Sequence, residues 1–222
     1  MTSREFLTIE ETANTLGVSS RHARRLADTG AISRIARGLI DRGSVDRYLQ
    51  SQRMGRTRAW AEHTAWGAVA TLAGQDADWL GMTQASRLRQ SLRELTDVDD
   101  LLTRTRDRAR VRTFEAHRAA LPRLREVVAV SNTRALGLTD AVDASMDGYV
   151  AASDLDKISR DLSLRADPTG TVTLRVTGFD FERVRALVDT SVVAALDAAT
   201  STDPRLRGVG RRALAESLEA YR

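Results

Sequence analysis

Cysteine is missing altogether from this 222-residue chain, and lysine nearly so: Lys157 stands alone among the basic residues, all others being arginine. Without thiols there can be no disulfide and no thiolate metal site, a composition compatible with a reducing compartment. Histidine is scarce. His22, His63 and His117 lie far apart, and none sits in a metal-ligand spacing such as H-E-x-x-H. No run of about 18 apolar residues could span a membrane, and residues 1–5 do not open an apolar leader, so the expected location is the cytoplasm. There is no phosphate-cradling P-loop, no G-x-G-x-x-G after a strand and no G-x-S-x-G elbow. The acidic group Asp97, Asp99 and Asp100 reads as a helix start rather than a metal site. These absences together predict no catalysis, no cofactor and no metal.

What is present is a globular balance, 42% hydrophobic and 29% charged. The near-exclusive use of arginine has a physical consequence, because guanidinium offers a planar fork to phosphate and guanine that an ammonium does not. The net charge of +4 is unevenly spread. Residues 1–53 carry 9 arginines against 6 acids, and residues 54–125 carry 13 against 9. Residues 126–222 carry 11 arginines and one lysine against 15 acids, for a net of −3. The front of the chain therefore suits a polyanion and the back a different partner.

The first fifty residues are the most informative. Thr8-Ile9-Glu10-Glu11 is a capping box that opens a helix running to about Leu16, where Gly17 ends it. Ser19 caps a second helix that stops near Gly30. Ile9, Ala13, Leu16, Val18, Ala23 and Leu26 supply an apolar seam between the two. Residues 32–41, branched on both sides of a basic segment with Gly38, read as a β-hairpin wing. Ser44 is expected to cap a third helix from Val45 to about Gln52, with 54–57 as a connector. Two short helices joined by a glycine turn are a helix-turn-helix signal. In that motif the second helix enters the major groove, which singles out Ser20, Arg21, His22, Arg24 and Arg25, with Ser19 at its N-terminus. Arg34, Arg37 and Arg42, on or near the wing, are candidates for backbone or minor-groove contact.

Downstream, residues 58–103 read as helical. Ala59, Trp66, Val69 and Ala73 share one face, and Thr83 is positioned to cap a helix striped by Ala85, Leu88, Leu92 and Leu95. Trp60, Trp66 and Trp79 fall here, either as core or as a dimer contact. Arg104, Arg106, Arg108, Arg110 and Arg112 alternate. On a strand they would form one basic strip; on a helix to about Arg108 they would spread around the axis. The two readings are auxiliary nucleic-acid contact and a solvated, salt-bridged face. Further on, Val127–Val130 is a buried-strand candidate, Ser153 a helix cap before Leu155, Ile158 and Leu162, and 171–176 an alternating strand after the Asp167–Gly170 turn. Helices follow at about 190–200 and 208–221.

Two resemblances rest on these residues. Glu11, Ala13, Leu16-Gly17-Val18-Ser19, then Arg24-Arg25-Leu26, Gly30, Gly38 and Ser44-Val45-Asp46-Arg47-Tyr48-Leu49 resemble, in that order, the excisionase and MerR-like winged helix-turn-helix families. The remainder is similar to the AbiEi-type antitoxins and transcriptional regulators of type IV toxin–antitoxin systems. The carrying residues are Ala109-Arg110-Val111-Arg112, Phe114, His117, Ala120-Leu121-Pro122-Arg123-Leu124, Ser131, Ala135, Gly148-Tyr149-Val150, Val172–Val176, Val192–Asp197 and Asp203-Pro204-Arg205. That resemblance implies a C-terminal α+β domain, repression of the protein's own operon and opposition to a nucleotidyltransferase-like toxin.

The expected architecture is helix-rich α+β. A winged helix-turn-helix occupies 1–53, a helical connector or dimerisation region 58–103, and a partner-binding α+β domain 104–222. The expected function is transcriptional repression through a double-stranded DNA operator, bound as a homodimer, with a cognate toxin as second partner. The other readings are a protein-interaction or ligand-sensing regulator outside toxin–antitoxin systems, and an excisionase-like architectural factor.

Overall fold

The computed structural model describes residues 6–36, 38–45, 48, 58–138, 145–167, 170–201 and 203–222. The chain divides into two compact units, Met1–Arg58 and Ala59–Arg222. The fold is α+β and helix-rich, as expected.

In the first unit β1 (Phe6–Thr8) leads into α1 (Ile9–Leu16), α2 (Ser20–Asp28), β2 (Arg34–Ala36) and β3 (Leu39–Asp41). The capping box is formed: the Glu11 N–H donates to Thr8 Oγ1 at 3.2 Å, and the Thr8 N–H donates to Glu11 Oε2 at 2.8 Å. Gly17, at φ 64°, takes the left-handed conformation that turns the chain between the helices. The wing is a β2–β3 hairpin to which β1 adds a third antiparallel strand, in the order β1-β3-β2. That first strand has only three residues and too short an alternation to be read in advance. Leu7, Leu26, Ile32, Ile40 and Val45 form the core of the unit. The helix after the wing begins earlier than expected, since residues 42–45 are already helical. Asp41 takes the capping role assigned to Ser44: its carboxylate accepts the N–H groups of Gly43 (3.3 Å) and Ser44 (2.8 Å). Ser44 Oγ instead accepts the Ser33 N–H at 2.9 Å. The expected end of this helix at 49–52, and the connector at 54–57, lie outside the described residues.

The second unit contains α3 (Glu62–Leu72), α4 (Met82–Glu94), α5 (Val98–Thr105), β4 (Arg110–Glu115), α6 (Leu121–Val127), β5 (Ala129–Val130), β6 (Met146–Ala151), α7 (Leu155–Asp161), β7 (Arg165–Ala166), β8 (Val172–Thr177), α8 (Phe181–Val188), α9 (Ser191–Ala199) and α10 (Pro204–Tyr221). The strands form one mixed sheet, β5-β6-β8-β4-β7, in which β6 and β8 are parallel and the other pairs antiparallel. Strand alternation sends Met146 and Val150 of β6, with Val172 and Leu174 of β8, to one face, where Leu121, Leu124 and Ile158 cover them. Tyr149 lies on the other face, beneath a core built by α3, α4, α5, α8, α9 and α10.

That second core corrects the expected boundary between 103 and 104. Trp66, Val69, Leu88, Leu92 and Leu101 pack in one cluster with Tyr149, Leu187, Leu196 and Leu214, so the helical stretch belongs to the same body as the sheet. Trp66 is fully buried and Trp60 and Trp79 pack against this cluster, which is the core reading of the tryptophans. Smaller differences have local causes. The chain around Val127 is helical, and only Ala129–Val130 is strand. Gly81 rather than Thr83 precedes α4, and Asp154 rather than Ser153 precedes α7. The Asp97 cap was legible, its carboxylate accepting the Asp100 N–H at 2.8 Å.

Candidate nucleic-acid interface

Helix α2 has two sharply different sides. Ala23 and Leu26 are buried against the unit's core. Arg21, Arg24, Arg25 and Asp28 recur at i, i+3, i+4 and i+7 and are all exposed. Ser19 caps the helix, its Oγ accepting the His22 N–H at 3.3 Å. That leaves the Ser19 hydroxyl hydrogen available at the exposed, electropositive end of the helix. Ser20, the first helical residue, is half-buried.

The polar contacts on this surface are few. Arg25 Nη2 lies 3.1 Å from His22 Nδ1. With Arg25 as donor, His22 carries its hydrogen on Nε2, which makes the ring a donor outward. Asp28, the one carboxylate on the helix, accepts Arg34 Nη2 of β2 at 2.6 Å. Arg34 thereby ties the base of the wing to the end of α2. Arg21 and Arg24 have no carboxylate partner among the described residues. Arg42 is exposed on the helical turn after β3. Arg37 lies outside the described residues. Thus Ser19, Ser20, Arg21, His22, Arg24 and Arg25 share one helix, and Arg34 joins them through Asp28.

A second polar constellation, in the other unit, was not legible as a group. Asp197 of α9 is buried and accepts from Arg108 Nη2 (2.7 Å), Tyr149 Oη (2.8 Å) and Ser131 Oγ. Arg108 Nε donates to Tyr149 Oη at 3.1 Å, and Arg175 Nη1 lies 3.3 Å from Asp197 Oδ1. Arg175 also forks onto Asp147 at 2.7 and 2.8 Å. Trp66 Nε1 closes the group from above by donating to the Arg108 carbonyl at 3.0 Å. Burial alone would raise the Asp197 pKa, but the guanidinium groups of Arg175 and Arg108 and the Ser131 hydroxyl hold it below the usual carboxylate range. Burial pushes the Tyr149 phenol well above its usual value, so it stays protonated as a donor. Two buried arginines balanced by two aspartates, with each charge partnered, make a framework that locks sheet to helices.

The alternating arginines meet separate fates. Arg104, on α5, lies over the Trp60 ring at 5.5 Å. Arg106 is exposed and Arg108 is buried in the cluster just described. Arg110 and Arg112 project from one face of β4. The single basic strip suggested by the spacing is therefore broken by the change from helix to 3-10 turn (Arg106–Arg108) to strand. Among the described residues no group of three or more His, Asp or Glu side chains is placed to hold a metal, and no helix is long and apolar enough to cross a membrane.

Comparison with known families matches residues 6–53 to the helix-turn-helix domain. The match covers the first unit and about a fifth of the chain. No curated protein and no solved structure matches the chain. The first unit is therefore a DNA-binding helix-turn-helix domain carrying its own wing.

Proposed function

We propose that the protein is a sequence-specific transcriptional repressor that binds an operator with α2 in the major groove. The observation that carries this reading is the exposed arginine face of α2, whose single carboxylate, Asp28, is already engaged by Arg34. Arg21, Arg24 and Arg25 read base edges, where a bidentate arginine–guanine pair is worth roughly 1–3 kcal/mol of discrimination. Ser19, Ser20 and His22 position the backbone from the helix N-terminus, and Arg34, Arg37 and Arg42 do so from the wing and its flank. One small module makes few base contacts, so the protein acts as a homodimer on a pseudo-palindromic site. It is not an enzyme, a reading in keeping with the structural role of its buried cluster, where Arg108, Arg175 and Asp197 engage one another.

The second unit serves a protein partner. The resemblance of residues 109–205 to AbiEi-type antitoxins supports a nucleotidyltransferase-like toxin, as does the acidic balance of residues 126–222. The repressor is then the antitoxin of its own operon.

The test is Arg24→Ala combined with Arg25→Ala, measured by titration of DNA from upstream of the protein's own gene. Affinity falls about tenfold or more, and the salt dependence becomes shallower. Unchanged affinity, with the fold intact by circular dichroism, removes α2 as the reading element. Co-expression with the product of the adjacent gene tests the antitoxin role, and a toxin whose activity is unaltered in the complex refutes it.

A further inference from the structure

Among the described residues, the outer edge of β4 is only partly covered by β7. β7 pairs with β4 at Phe114 and Glu115 only, while β8 pairs with it along Arg110–Phe114. Beyond β7, the Asp167 N–H reaches the Thr113 carbonyl at 3.1 Å. Backbone groups alternate sides along a strand, so those of Thr113 and Val111 face this outer edge and those of Arg110 and Arg112 face β8. No described strand lies beside Val111 on that side. Val111 is 57% exposed, against 8% for Phe114 on the same strand. Arg110 and Arg112 are exposed on the opposite face and have no carboxylate partner among the described residues.

We propose that this edge, Arg110–Arg112, is a docking site for an extended protein segment with an acidic–apolar–acidic pattern, which adds beside β4 in line with β7. The open peptide group of Val111 supplies main-chain hydrogen bonds, and the side chains to either side supply selectivity. Carboxylates two residues apart on the incoming strand lie on one face, as Arg110 and Arg112 do, and meet them across the pair. The apolar residue between them covers Val111.

Charge decides against a second copy of this chain as the occupant. Pairing β4 with β4 would set arginine against arginine, and like charges directly opposed destabilise a strand pair. The same arginines guard the edge against self-association. Phosphate binding would use the arginines but leave the open peptide group and exposed Val111 without a role. The proposal rests on the reading of the second unit as a partner-binding module and names the surface it uses.

The experiment uses the full chain labelled with nitrogen-15 and a synthetic peptide containing Thr-Glu-Val-Glu-Thr. An analogue with both glutamates replaced by glutamine and a short DNA duplex serve as comparators. The expected result is saturable movement of the Val111 and neighbouring amide signals, with at least about tenfold slower solvent exchange at Val111. The glutamine analogue binds about fivefold more weakly, as two exposed ion pairs would give. Arg110→Glu with Arg112→Glu, both exposed positions, abolishes binding without altering the circular dichroism. Movement confined to other residues, no saturable movement, or equal binding of the analogue overturns the proposal. So does a result in which only the duplex moves these amides, which makes the surface a phosphate contact. If an adjacent-gene product binds the doubly substituted chain as well as the original, the edge is excluded while the partner reading stands. If that product binds neither, the partner reading falls and the peptide titration still decides the edge.

Discussion

Asp197 shows how much a single residue can organise. Its carboxylate gathers Arg108 and Ser131 from two turns and Tyr149 and Arg175 from strands β6 and β8, and fixes them to α9. Replacing it with asparagine leaves two buried guanidinium groups short of a counter-charge, and loss of one member of a buried ion pair costs about 3–5 kcal/mol. Denaturant unfolding at neutral pH should show a loss of that order for Asp197→Asn. A loss near zero would mean that water reaches the cluster and screens it. The pH dependence follows from the lowered carboxylate pKa. The unfolded chain binds the proton first, at the ordinary carboxylate value near 4. The stabilisation is therefore fully present above that value and is lost as pH falls through it toward the lower folded value. Stability measured between pH 5 and pH 3 should fall less steeply in the asparagine variant than in the parent. None of this cluster could be read in sequence. Asp197 lies 48 residues from Tyr149 and 89 from Arg108, and only the folded sheet brings them together.

Among the elements, α9 and α10 leave little room between them. Along α9 every residue from Val192 to Ala199 is buried, and α10 crosses it at Gly210. A Cβ on Gly210 would stand 2.4 Å from the Ala199 nitrogen and 2.6 Å from the Ala195 carbonyl oxygen, both backbone atoms. Gly210→Ala gains about 1 kcal/mol of helix propensity, but overpacking costs typically 1–3 kcal/mol and here requires a whole helix to move. The melting temperature should drop by several degrees. Gly208, one turn-half away on the same helix, has nothing within 4 Å of its Cβ position. Gly208→Ala should therefore raise the melting temperature, and the opposite signs of the two substitutions test the packing directly. Legibility at this scale follows the range of the signals. The Thr8 capping box, the Gly17 turn, the Ser19 cap and the exposed arginines of α2 are all local, and the first unit was readable from them. Helix α8 was missed because its eight residues sit directly between strand β8 and the apolar run of α9. The shift at Val127–Val130 has a similar cause, since an apolar run of four residues does not distinguish a helix end from a strand.

At the scale of the whole molecule, the two units have separate hydrophobic cores. Leu7, Leu26, Ile32, Ile40 and Val45 serve the first, and two larger clusters on either face of the sheet serve the second. No boundary falls at residue 103 in the folded unit for a physical reason: helices α3–α5 pack on one another and, in the same cluster, on Tyr149 of the sheet and on α8–α10. A unit of 58 residues buries a smaller share of its surface than one of 164 and is correspondingly marginal. Unfolding should therefore proceed in two steps, the helix-turn-helix unit first. The tryptophans make this measurable, because Trp60, Trp66 and Trp79 all belong to the second unit. Far-ultraviolet circular dichroism reports both units, whereas tryptophan fluorescence reports the second alone. In urea the dichroism should show an earlier loss that fluorescence lacks, and the two probes should coincide only at the later transition. Adding DNA bound by the helix-turn-helix unit, at a hundredfold excess over its dissociation constant, should move the earlier step by about 2.7 kcal/mol and leave the fluorescence transition in place. Asp197→Asn should do the reverse. Coincident transitions by both probes, shifted together by DNA, would show that the two units unfold as one and that binding at α2 is felt throughout the sheet.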